Sequence, residues 1–345
     1  MKIIFGIAGE GYGHATRSKP VIEHLKKHDV KIFTGGKGES YLSNYPIKRV
    51  TSFRLVYKNN SVNTLRSALL NFVKIPGAIY SLAKTIVFFY NFKPDLVIND
   101  FELFTNWAAN IFRVPLIHIN NGEVFRCGEI ETPKKPYLSY LKALFWSLVI
   151  NPKKDHGLIP SFFHVPVKPG NKLVFPPLRK EIKNLRSHEG DHILVYQTSK
   201  NNNKLLEILR QINKKVIVYG FNKKQIQQYK IFKNIILKNF NENDFFEDLA
   251  NCKAVITNGG FSLMSESIYL KKPILSCYVR KQFEQEVNSY YLEKNGFGMS
   301  VKELSKEKID RFLENLTKYK EELRKHKWHD NFFEELGKLL EQIKM

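Results

Sequence analysis

The chain has 345 residues, too many for one ordinary doubly wound domain and about right for two. Hydrophobic residues make up 43 % and charged residues 26 %, which excludes a disordered chain and supplies real cores. The formal net charge of +22 admits nucleic acid, an anionic membrane or phosphorylated ligands as partners, but the lysines are scattered and no nucleic-acid-binding signature accompanies them, so nucleic acid is the disfavoured class.

KIIFGI (2–7) reads as a buried first strand rather than a leader. A helix is predicted over Ala15 to Lys27, then a strand at KIFT (31–34). Ser61 to Phe92 mixes apolar residues with Arg66, Lys74 and Lys84. DLVIN (95–99) and PLIHI (115–119) are strands around a helix from Phe101 to Phe112. Tyr137 to Ile150 is a second apolar segment, bracketed by Lys134, Lys135, Lys153 and Lys154. Buried helices are the favoured reading of both apolar segments, and a face dipping into an anionic membrane is the rival.

A Pro/Gly/His-rich break runs from Asn151 to Arg179, with the domain joint near Pro177. The pattern then restarts with strands at 192–197, 215–220, 234–238, 253–257 and 273–277. Helices are expected at Lys204–Gln211, Asp244–Ala250, Phe261–Tyr269 and Phe283–Lys294, and from Lys302 to Met345 throughout. Alternating strands and helices predict parallel sheets covered on both faces. The expected division is residues 1–177, residues 178–325, and a final helix over 326–345. No run of about 18 uncharged residues offers a membrane span. Cys127, Cys252 and Cys277 are too few and too far apart for a disulfide framework or a zinc site, which points to a reducing, cytoplasmic setting.

Two constellations carry chemistry. After the first strand, Gly9, Gly11 and Gly13 alternate and His14 follows at a helix start. The glycines permit close backbone approach to a ligand, and the spacing is not that of a dinucleotide loop. His14 is suited to take a proton from a hydroxyl, with a backbone-bonded helix-start histidine as the plain alternative. Asp100, at the end of a strand, is the candidate to orient it, with Glu102 and Glu123 as rivals and a helix-capping role as the alternative. In the second half, Gly259 and Gly260 precede Phe261 and Ser262 at a helix start, a seat for a diphosphate. Glu266, one turn in, is placed to take ribose hydroxyls; Glu284, Gln285 and Asn288 suit a sugar's hydroxyls.

These residues resemble the GT-B glycosyltransferases, most closely glycosyltransferase family 28, which includes the bacterial enzyme forming lipid II. The glycine loop to His14, Pro177-Leu178-Arg179, Asn239-Phe240-Asn241, and Glu266 match that family's motifs. Glu284 departs from a Gln in the family's sugar-contacting pair, and Gln285 keeps the second. A narrower similarity, to mostly uncharacterised archaeal and bacterial proteins, rests on Gly9 to His14 and on Asp100-Phe101-Glu102. The resemblance implies two Rossmann-like domains facing across a cleft, with the last helix crossing back to the first. It implies a donor site of Asn241, Gly259, Gly260, Phe261, Ser262, Glu266, Glu284 and Gln285. Gly11, Gly13, Glu102 and Glu123 fall on the acceptor side. It also implies inverting transfer from a UDP-sugar without metal or other cofactor. The two basic apolar segments point to a lipid-linked or cell-surface glycan as the acceptor, at the inner face of the cell membrane. The rivals are a UDP-sugar 2-epimerase of the same fold and a basic nucleic-acid-binding protein.

Overall fold

The computed structural model describes residues 1–58, 60–131, 137–152, 156–197, 203–221 and 233–344; Lys134, Lys135, Lys153 and Lys154 lie outside them. Two parallel sheets follow one another along the chain. The first holds β1 (Lys2–Ile7), β2 (Asp29–Thr34), β3 (Ile47–Arg49), β6 (Leu96–Asp100), β7 (Leu116–His118), β8 (His156–Pro160) and β9 (Asn171–Val174), with a small hairpin of β4 (Tyr57–Lys58) and β5 (Ser61–Val62) outside it. Its order is β3-β2-β1-β6-β7-β8-β9. The second holds β10 (His192–Tyr196), β11 (Lys215–Tyr219), β12 (Ile235–Leu237), β13 (Ala254–Thr257), β14 (Ile274–Cys277) and β15 (Gly298–Val301), in the order β12-β11-β10-β13-β14-β15. The direction of winding reverses between β1 and β6 and between β10 and β13. Loops diverge at such points and leave a crevice at the strands' carboxyl ends. The glycine loop and Asp100 leave the first of these points, and Gly259 leaves the second.

β8 and β9 fall inside the stretch read as a break. HGLIP and NKLV carry Gly, Pro and Lys and no clean alternation. They complete the sheet because β8 is covered on both faces, where burial selects no period-2 pattern. The carboxy-terminal stretch is not helical throughout. Helices Lys306–Glu314 and Leu316–Lys325 are separated from Phe332–Lys344 by a non-helical crossing. There Trp328 packs against Phe175, with ring centroids 4.9 Å apart, and Asn331 accepts from the Phe175 amide at 3.0 Å. The last helix then lays Phe332, Leu336 and Leu340 into the core formed by Ile3, Phe5, Ile98 and Val174, which buries its apolar stripe.

The two apolar segments depart most from expectation. Helices Thr64–Phe72, Ile75–Phe92 and Tyr137–Ile150 do form, but each buries only part of its surface, as where Phe89 enters the core, and leaves the rest exposed. Leu65, Leu69, Phe72, Ile79, Tyr80, Val87 and Tyr90 are exposed on the first two, Val73 between them, and Phe145, Trp146 and Leu148 on the third. Helix Leu103–Phe112 lies between them and adds Trp107 and Ile111; the Trp107 indole donates to the Val149 carbonyl at 2.8 Å. No Asp or Glu occurs from Ser40 to Pro94, nor from Leu103 to Gly122. No single described helix is long and apolar enough to cross a membrane.

Candidate active site

The glycine loop leaves β1 and closes on the helix Gly13–His24. A Cβ at Gly9 would sit 2.1 Å from the Gly35 carbonyl oxygen, whereas one at Gly11, where φ is +71°, would meet nothing within 4 Å. Gly9 therefore packs the loop on its own domain, and Gly11 faces open space. His14, in the first turn, brings Nδ1 to 2.9 Å from Asp100 Oδ1, and its ring stacks on Phe101. Of the three rival carboxylates, Asp100 is the one beside His14. Glu102 instead caps helix Leu103–Phe112, accepting from the amides of Phe104 and Thr105 at 3.0 and 2.7 Å. Glu123 turns into the first domain, against Asn151 and Ser147. Neither faces the crevice, because each has a closer donor in its own fold.

Asp100 is fully buried and surrounded by donors. Besides His14 it receives Arg17 on both oxygens, with Nε at 2.8 Å from Oδ2, and Ser18 Oγ at 3.2 Å. Burial by itself would raise the carboxyl, but the charges of Arg17 and His14 and their hydrogen bonds outweigh it and hold Asp100 well below the usual carboxylate range. Arg17 also donates to Asn121 Oδ1 at 2.6 Å. The loop's acidic residue, Glu10, accepts from the Leu55 amide at 3.1 Å and the Tyr57 hydroxyl at 3.3 Å. Burial raises its carboxyl despite that amide and the nearby His14. Arg17, Asn121 and Glu10 were not singled out from the sequence as site residues. Arg17 was within reach, one helical turn past His14; Asn121 needed the knowledge that β7 ends beside β6.

Across the crevice, Gly260 caps helix Phe261–Tyr269, and a Cβ there would meet nothing within 4 Å, whereas one at Gly259 would meet the Gln285 carbonyl oxygen at 2.5 Å. The helix start faces the first domain directly: Ser262 Oγ donates to the Gly13 carbonyl at 3.0 Å. Phe261 is buried, with the Arg17 guanidinium 5.8 Å from its ring centroid. Glu284 accepts from Asn121 Nδ2 at 2.9 Å, again between domains. Gln285 Oε1 takes the amides of Gly259 at 3.2 Å and Val279 at 2.9 Å, and Asn288 Nδ2 donates to the Gly259 carbonyl at 3.0 Å. Both brace the glycine turn, Gln285 through Oε1 alone. Asn241 caps its own helix through the amides of Asn243 and Asp244. Glu266 is buried with Oε1 on Arg179, Nε at 2.9 Å and Nη2 at 2.6 Å. Burial raises its carboxyl, and Arg179 offsets part of that. Arg179 also reaches Glu242, which accepts from Tyr41 of the first domain at 2.6 Å. The linker arginine thus ties the two halves together behind the crevice.

The chain matches the description "Glycosyl transferase family 1" over residues 1–317. It belongs to that family. An uncharacterized glycosyltransferase of Methanosarcina acetivorans is 25 % identical over 327 residues, covering 86 % of this chain and 85 % of the relative. Among solved structures, the spinosyn forosaminyltransferase SpnP superposes with a TM-score of 0.66 at 13 % identity, over 98 % of this chain and 99 % of that one. The glycosyltransferase VinC in complex with dTDP superposes with a TM-score of 0.62 at 15 % identity, over the whole of both chains. This is a glycosyltransferase of the GT-B fold, with two parallel-sheet domains.

Proposed function

We propose that this glycosyltransferase moves a sugar from a nucleotide diphospho-sugar, UDP-linked, to a hydroxyl of a lipid-linked or cell-surface glycan, with inversion and without a metal or other cofactor. The observation that carries the reading is the opposition of His14, hydrogen-bonded to Asp100, to the helix start at Gly260 and Ser262. His14 Nε2 takes the acceptor's proton as its oxygen attacks the anomeric carbon. Asp100 holds the ring and balances the imidazolium. The leaving diphosphate gains negative charge, which the free amides and dipole of helix Phe261–Tyr269 meet, with Ser262 Oγ released from Gly13 as a further donor. Glu266 is the group for the ribose, and Glu284 for a sugar hydroxyl. Single displacement, hence inversion, needs one base, and His14 is the residue that would supply it.

The acceptor's class rests on the exposed apolar surface of helices Thr64–Phe72, Ile75–Phe92, Leu103–Phe112 and Tyr137–Ile150. Monomeric proteins rarely expose so much contiguous apolar area. Here it is free of acidic residues and carries exposed Arg66, Lys84 and Lys142. A bilayer with anionic head groups at the inner face of the cell membrane is complementary to both properties. It would deliver a lipid-linked acceptor beside the domain that bears His14.

The test is thermal stabilisation by UDP, TDP and their sugars in wild type and Glu266→Gln, since a ligand that binds only the native state raises Tm. Stabilisation by UDP compounds that the variant loses supports the donor site. No shift with any nucleotide at millimolar concentration overturns it.

A further inference from the structure

The hairpin of β4 and β5 belongs to the first domain but ends on the second. At its root, the Leu55 amide and the Tyr57 hydroxyl are held by Glu10 of the glycine loop. The Val56 amide donates to Ser67 Oγ at 2.8 Å, which anchors the hairpin on helix Thr64–Phe72. From there the chain reaches the second domain at Asn60, whose φ is +52°. Left-handed backbone is uncommon outside glycine, and asparagine is among the residues that tolerate it.

Both ends of the Asn60 carboxamide are used, and among the described residues all its partners lie in the second domain. Nδ2 donates to the Tyr278 carbonyl at 3.0 Å and the Cys277 carbonyl at 3.3 Å. Oδ1 accepts from Asn258 Nδ2 at 3.1 Å. The backbone adds two bonds. The Arg280 amide donates to the Asn60 carbonyl at 2.9 Å, and the Val62 amide to the Arg280 carbonyl at 3.1 Å.

These partners flank the glycine turn. Asn258 leaves β13 immediately before Gly259 and Gly260, and Cys277 ends β14, the neighbouring strand. Asn258 Nδ2 also donates to the Cys277 carbonyl at 3.0 Å, so Asn60 completes a three-way junction between the two strand ends. Gln285 clamps the same two loops from within the second domain, through the amides of Gly259 and Val279. The turn before helix Phe261–Tyr269 is thus held by one carboxamide from each domain.

We propose that Asn60 is a positioning residue of the donor site, supplied by the first domain: it fixes the Asn258–Gly260 turn, so the seat for the diphosphate is complete only while the hairpin is docked. Asn60 acts through Asn258 and the two carbonyls, not on the diphosphate itself. Nucleotide binds the docked state in preference, and its apparent affinity follows the fraction docked. The inference rests on the proposed donor site at Gly260.

The experiment compares the full wild-type chain with Asn60→Gly and Asn60→Asp, using UDP and TDP as probes. Glycine keeps the left-handed backbone and both bonds to Arg280, and removes only the carboxamide. Aspartate keeps an acceptor for Asn258 but sets oxygen against the Cys277 and Tyr278 carbonyls. Calorimetric titration should show nucleotide bound about tenfold more weakly by both variants. A merely structural role would lower Tm and leave the Kd of the folded protein at its wild-type value. Amide exchange is the second measurement. In wild type, bound nucleotide should slow the Val62 amide, which is bonded across to Arg280, more than the Asn63 amide, which is bonded within the hairpin to the Val56 carbonyl at 2.7 Å. Wild-type affinity in both variants overturns the proposal, as does a Val62 amide that bound nucleotide does not slow. If the variants fail to fold, the wild-type exchange decides. Wild type binding neither nucleotide would sink the donor site and this inference with it, whereas equal binding by wild type and variants sinks this inference alone.

Discussion

Seating the exposed apolar face in a bilayer has a magnitude that can be worked from individual side chains. Phe72 is 71 % exposed and Trp146 is 56 % exposed. Aromatic side chains carry on the order of 200 Å² each, and apolar burial contributes about 25 cal/mol per Å². Covering the exposed part of either ring therefore contributes about 3 kcal/mol. Replacing either with Glu removes that term and sets a carboxylate against anionic head groups. Since 1.4 kcal/mol is about tenfold, Phe72→Glu and Trp146→Glu should each lower the partition coefficient roughly a hundredfold. The assay is cosedimentation of the full chain with phosphatidylglycerol–phosphatidylcholine vesicles. Ile236→Glu, an exposed apolar position in the second domain, is the control that should leave binding unchanged. Added salt should weaken wild-type binding through Arg66, Lys84 and Lys142 without abolishing it, because the apolar term is not screened. Wild type remaining in the supernatant at every lipid composition refutes the reasoning. So does sedimentation of both Glu variants like wild type.

His14→Ala and Asp100→Asn should each lower kcat roughly 100- to 10,000-fold while nucleotide stabilisation of Tm persists, and a variant that retains transfer excludes the residue as base or orienter. Phe332→Ala removes a fully buried ring of the first domain's core, so it should destabilise by about 3–5 kcal/mol in urea unfolding; a change within error would mean that the last helix is not docked there. Burial raises the Glu102 carboxyl, outweighing its bonds from Thr105 and Phe104. The native state therefore holds that proton more tightly than the unfolded chain, and the stabilising contribution is lost as pH rises above the unfolded value of about 4.3. The Tm of Glu102→Gln relative to wild type should accordingly climb between pH 4 and the raised folded value, whatever constant offset the lost acceptor brings, and a flat difference contradicts the burial argument.

Short β-branched runs separated by amphipathic stretches determined the two parallel sheets, because such runs have few other ways to bury both faces. Local chemistry likewise determined the glycine loop ending in His14 and the glycine turn before Phe261: only glycine admits a close approach, and a helix start must leave amides free. The strand end put Asp100 forward as the partner of His14, and tertiary structure placed it 2.9 Å from the ring. Its rivals sit on comparable loops, and only the fold shows Glu102 capping its own helix and Glu123 bonded to Asn151. Tertiary structure also gave Gln285 a bracing role, its Oε1 taking the amides of Gly259 and Val279, partners set by the fold rather than by spacing. The apolar segments show the limit most plainly. Composition makes Ile75–Phe92 and Tyr137–Ile150 helices of high apolar content, but whether such a helix is core or surface depends on what covers it, and that is a property of the assembled domain.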